Sequence, residues 1–165
     1  MLALLLVALT VADLPPPARD VLDREVPGWK LAPIAPQVRD WFAQQHFGHE
    51  PDLAHFDFDL DGVRDWALEI IVSGRQLAVM LLARGSGFEF RLLASDSPDP
   101  FTYLLVNRRG DREFNFATLR WFRHPHDTLQ LMYFDRPPLL FEWSNGRIEK
   151  RIVPNDEETD TGEPR

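Results

Sequence analysis

The chain has 165 residues, 44% of them hydrophobic and 12% aromatic, enough for one packed domain; wholesale disorder and a multidomain array are excluded. Its 18 Lys+Arg against 26 Asp+Glu leave a net charge of −8, which argues against a nucleic-acid binder that works by neutralising phosphates. With no cysteine, neither a disulfide framework nor a lipidated cysteine is available.

Residues 1–12, MLALLLVALTVA, form a continuous apolar run. It is too short for the roughly 20 residues that span a bilayer but has the size of a signal-peptide core, with a cleavage position after Thr10-Val11-Ala12. The expectation is a periplasmic or secreted protein with no membrane span once the leader is removed. Two helices follow. Residues 18–26 place Val21, Leu22 and Val26 near one face and stop at Pro27-Gly28. Residues 36–47 open on Pro36 and line up Val38, Trp41, Phe42 and Gln45 at helical spacing.

From Asp65 the period changes to strands. DWALEIIV (65–72) alternates Trp66, Leu68, Ile70 and Val72 against Asp65, Ala67 and Glu69. QLAVMLLA (76–83) is apolar on both faces, as a strand covered on both sides is. Gly85-Ser86-Gly87 turns it into FEFRLLA (88–94), and FTYLLVN (101–107) makes a fourth strand. Residues 112–123 fit either strand or loop, and Arg109-Gly110-Asp111 reads as a turn. TLQLMYF (128–134), LLFEW (139–143), the turn Ser144-Asn145-Gly146 and RIEKRIV (147–153) complete the body. The expected fold is α+β: one or two N-terminal helices packed on one twisted antiparallel sheet of six or seven strands, spanning residues 13–153. Residues 154–165 carry five acidic residues and one arginine with nothing apolar to bury, and read as a solvated, disordered acidic tail.

One stretch carries chemistry. Asp57, Asp59, Asp61 and Asp65 stand at loop positions 1, 3, 5 and 9, Gly62 at position 6 permits a sharp turn, and Val63 offers a main-chain carbonyl at position 7. Alternating hard oxygens of this kind suit calcium; magnesium keeps more water, and softer metals prefer nitrogen or sulfur. The loop is not an EF-hand, because position 12 is Leu68 and a strand follows. Asp65 is therefore expected to close the ligand set, with Arg64 offsetting some of the repulsion between carboxylates.

The string DFDLDGVRDWALEIIV (57–72) resembles the calcium loops of FG-GAP/VCBS repeats, in which the same aspartate pattern precedes a hydrophobic strand. More broadly, residues 27–156 look like small uncharacterised exported bacterial proteins with a Pro27-Gly28-Trp29-Lys30 segment, one such loop and a terminal strand, corner, strand, turn and strand. The resemblance implies Asp57, Asp59, Asp61 and Asp65 as metal ligands. With one loop only, a propeller is not implied, and no activity comes with the group.

Other features read as structural. His46, His49, His55, His124 and His126 match no metal-site spacing and are expected at the surface. Trp121, Phe122, Tyr133, Phe134, Phe141 and Trp143 are expected to build core and sheet faces, with Arg120-Trp121-Phe122-Arg123 least explained by burial. The leading expectation is a non-enzymatic, exported accessory or interaction domain stabilised by one calcium ion, acting on a protein or envelope component. The alternatives are an envelope-polymer hydrolase using Glu69, Asp96 or Asp99, and an inhibitor- or immunity-type binding protein presenting an aromatic patch around Trp121.

Overall fold

Proline opens both helices. α1 (Pro16–Glu25) and α2 (Pro36–Gln45) begin on residues whose fixed φ suits the first turn and whose missing N–H has no helical partner there. The structure, a computed structural model, describes residues 13–115 and 120–153, without the side chains of 113–115. The leader and the acidic tail expected from sequence lie outside the described residues. Among the described residues, no helix is long and apolar enough to cross a membrane.

The strands are β1 (Lys30–Leu31), β2 (Leu53–Phe56), β3 (Asp65–Val72), β4 (Arg75–Arg84), β5 (Gly87–Asp96), β6 (Tyr103–Asn107), β7 (Arg112–Asn115), β8 (Arg120–Arg123), β9 (Thr128–Met132), β10 (Leu139–Ser144) and β11 (Arg147–Ile152). The first sheet runs β1-β3-β4-β5, with β2 paired to β3 beside β1, and the second runs β11-β10-β9-β6. All pairings are antiparallel, and β7 and β8 form a separate ribbon.

Two cores share the first sheet. Trp66, Leu68 and Ile70 on β3, with Leu77, Val79 and Leu81 on β4, pack against Leu14, Ala18, Val21 and Leu22 of the α1 segment. The alternate residues Ala67, Ala78, Met80 and Leu82 face Leu104, Val106, Leu129, Leu131 and Phe141 of the second sheet. The layers are thus helix, sheet and sheet, while α2 packs Val38 and Phe42 near Tyr103 of β6.

The α+β class holds, and the predicted strands 65–72, 76–83, 88–94, 101–107, 128–134, 139–143 and 147–153 all correspond to observed strands. The expected single sheet is instead two sheets and a ribbon. Alternation along a strand shows that a face is apolar; it does not show whether a helix or another sheet covers it. β4 is covered on both sides, as its composition requires.

Candidate metal centre

The aspartate loop is the connection of a β-hairpin. Phe56 on β2 pairs with Asp65 on β3, and residues 57–64 make the turn between them. Phe58 anchors the turn: it is fully buried, edge-on to Phe56 at 5.8 Å and to Trp143 at 6.3 Å. Around it the chain does not keep a strand's alternation: Asp59 is buried beside Phe58, Asp57 is partly buried, and Leu60 and Asp61 are exposed. Leu60 and Gly62 take left-handed backbone at φ 65° and 88°, folding the chain back over the carboxylates.

The loop is braced by its own aspartates. Gly62 N donates to Asp57 Oδ2 at 3.1 Å, Asp61 N to Asp59 Oδ1 at 3.3 Å, and Val63 N to Asp61 Oδ1 at 2.7 Å. One oxygen from each of Asp57, Asp59 and Asp61 lies within 4.8 Å of the others. Such a group can hold a metal ion. Asp57 Oδ1 is buried and has no hydrogen-bond partner, an unmet acceptor beside two further carboxylates.

Asp65, expected as the closing ligand, stands outside that group. It is fully buried, and its oxygens accept the amides of Phe58, Asp59 and Ala83. Burial pushes its carboxyl up to about 6 against the opposing pull of the Ala83 and Phe58 amides, and the Asp59 charge adds to the rise. Val63 is half exposed, on the rim of the loop.

The balancing cation is not the neighbouring Arg64 but Arg84, from the end of β4. Its Nη1 donates to Asp59 Oδ2 at 2.5 Å and lies 3.6 Å from Asp61 Oδ2. Nothing in the order of residues links positions 59 and 84; the β3-β4 pairing brings them together. An open cavity of about 660 Å³, lined by Asp57, Asp61, Gly62, Arg109 and His126, leads from solvent to the carboxylates.

Elsewhere the expectations divide. His49 and His124 are buried rather than superficial. His49 Nδ1 donates to Glu50 O at 2.8 Å and Nε2 accepts from Val106 N at 3.3 Å, so the ring joins the α2–β2 connection to β6. Glu69 is sealed in the core, where Gln76 donates to it at 3.2 Å, and Asp96 is held by Tyr133 and Arg136. Phe141 is in the core, with Tyr133 and Trp143 packed against it, whereas Trp121, Phe122 and Phe134 are exposed. Comparison with family models, curated proteins and solved structures found no match.

Proposed function

We propose that the loop binds one calcium ion and that the protein is an exported, non-enzymatic accessory or interaction module stabilised by that ion. Asp57, Asp59 and Asp61 are its carboxylate ligands and the Val63 carbonyl its main-chain ligand; Asp65 serves as the positioning residue that holds the loop in shape. The observation that carries this reading is the grouping of the Asp57, Asp59 and Asp61 carboxylates, with one Asp57 oxygen buried and unpartnered, in a loop already folded by amide bonds to its own aspartates. An all-oxygen donor set suits calcium or magnesium better than a soft metal, alternating carboxylates with a main-chain carbonyl favour calcium, and the likeness to FG-GAP/VCBS loops supports the same ion. At about 1 mM calcium and a dissociation constant of about 0.1 mM, binding adds about 1.4 kcal/mol to stability. The test is thermal unfolding of the protein with calcium, with magnesium and with chelator, beside an Asp59→Ala/Asp61→Ala double variant. A calcium-specific rise that the variant loses supports the reading; equal melting in all conditions removes it.

A second reading, an inhibitor- or immunity-type binding protein, draws support from the β7–β8 ribbon. Trp121 is 60% exposed with Arg112 5.0 Å above its ring, and Phe122 is 37% exposed. Aromatic and arginine side chains together are the composition of binding hot spots. Its test is whether Trp121→Ser/Phe122→Ser abolishes association with a protein co-purified from the envelope; association unchanged by the variant counts against it.

A further inference from the structure

Arg84 stands between two sets of acids. On one side its Nη1 meets Asp59 and Asp61, two of the three grouped carboxylates; on the other its Nε lies 3.4 Å from Glu89 Oε2 on β5. Glu89 holds Arg91 through its other oxygen, Oε1, so Oε2 is the one turned towards Arg84. The Arg84 and Glu89 side chains are 39% and 38% exposed, whereas Asp59 is 4% exposed and fixed in place. The guanidinium, whose Nη1 also donates to the Ala83 carbonyl at 2.7 Å, is the more exposed partner of the Arg84–Asp59 pair.

A calcium ion on Asp59 and Asp61 would sit within about 2.3–2.6 Å of their oxygens. The Arg84 guanidinium already bonds Asp59 Oδ2 and lies 3.6 Å from Asp61 Oδ2, and two positive centres a few ångström apart in a partly buried site repel each other strongly. Resting on the reading that the loop binds calcium, we propose that Arg84 is a built-in competitor for the site: ion uptake is an exchange in which the guanidinium leaves Asp59 and Asp61 and is received by Glu89. The contact to Glu89 already exists, so the exchange gives up the Nη1 bonds to Asp59 and to the Ala83 carbonyl by rotation of the outer side-chain torsions, with no movement of β4 or β5. The arrangement also selects by charge. A monovalent ion would replace a guanidinium of equal charge and lose its directed hydrogen bonds, whereas a divalent ion gains a charge in the exchange.

The experiment is calorimetric titration of the full chain with calcium chloride for the wild type, Arg84→Gln, Arg84→Lys, Glu89→Gln and the Arg84→Gln/Glu89→Gln pair. Removing the competitor is expected to tighten calcium about tenfold, the scale of one charge-assisted hydrogen bond. Arg84→Lys should fall between that variant and the wild type. Glu89→Gln should weaken binding about threefold, and this effect should vanish in the double variant, because the receiving group matters only while the arginine is present. If the wild type binds calcium and Arg84→Gln and Arg84→Lys bind it no tighter, the exchange is overturned and the calcium reading stands. If only the Arg84 variants bind, the competition is upheld and the calcium reading of the natural protein fails. If no form binds, both fail.

Discussion

Asp65 accepts the amide of Ala83 at 2.8 Å with Oδ1 while its Oδ2 accepts the amide of Phe58 at 2.9 Å, so one carboxylate ties the aspartate loop to the end of β4. Replacing it with alanine leaves these buried amides unpaired. Asp65→Ala is expected to destabilise the protein by about 2–4 kcal/mol, read from chemical denaturation, and Asp65→Asn, which keeps one acceptor oxygen, by less.

Phe58 fixes the same loop from the core side. Phe58→Ala is expected to cost about 3–5 kcal/mol, because the ring is fully buried between Phe56 and Trp143. The exposed neighbour supplies the control: Leu60→Ala should change stability by no more than about 0.5 kcal/mol. Denaturation midpoints of the two variants check the contrast.

His49 predicts an acid-sensitive fold. Burial, and secondarily the Arg108 charge, lower its pKa to about 4 from an ordinary 6.5, although the bond to the Glu50 carbonyl pulls the other way. Below pH 6.5 the unfolded chain takes up a proton that the folded ring refuses until the pH approaches 4. The stability this group contributes is therefore fully present above that window and lost through it, by about 3 kcal/mol. His49→Gln keeps a donor and an acceptor without titrating, and its stability relative to the wild type should rise as the pH falls.

Glu69 predicts the opposite slope. Burial holds its carboxyl well above the usual range, with the charges of Asp52, Asp99 and Asp96 adding to the rise and the Gln76 bond opposing it. An acid raised in the folded state favours folding at low pH and ceases to do so as the pH climbs through the folded value. Glu69→Gln retains the acceptor for Gln76 and should melt higher than the wild type at neutral and alkaline pH, with the difference shrinking towards pH 4.5.

Sequence period made the main strands legible because each long strand buries at least one face. DWALEIIV showed its Trp66-Leu68-Ile70 face plainly, and QLAVMLLA showed two. The short strands escaped: β1 has two residues, and the Arg120–Arg123 segment is exposed along its whole length, so neither carries an alternation to read. The buried histidine at position 49 also escaped, since its burial depends on a partner amide at Val106, far along the chain.

Residue order alone determined that the loop offers carboxylates at 57, 59, 61 and 65 and a glycine at 62 where the backbone turns left-handed, because these are local features of the chain. It likewise determined the net charge, the α+β composition and the apolar faces of the long strands. Tertiary structure decided which oxygens converge, that Asp65 spends its own on the amides of Phe58, Asp59 and Ala83, and that Arg84 meets Asp59. Those facts belong to strand pairing, because a cation's neighbours are set by distance in space and a register between β3 and β4 places residue 84 beside a loop that ended twenty positions earlier.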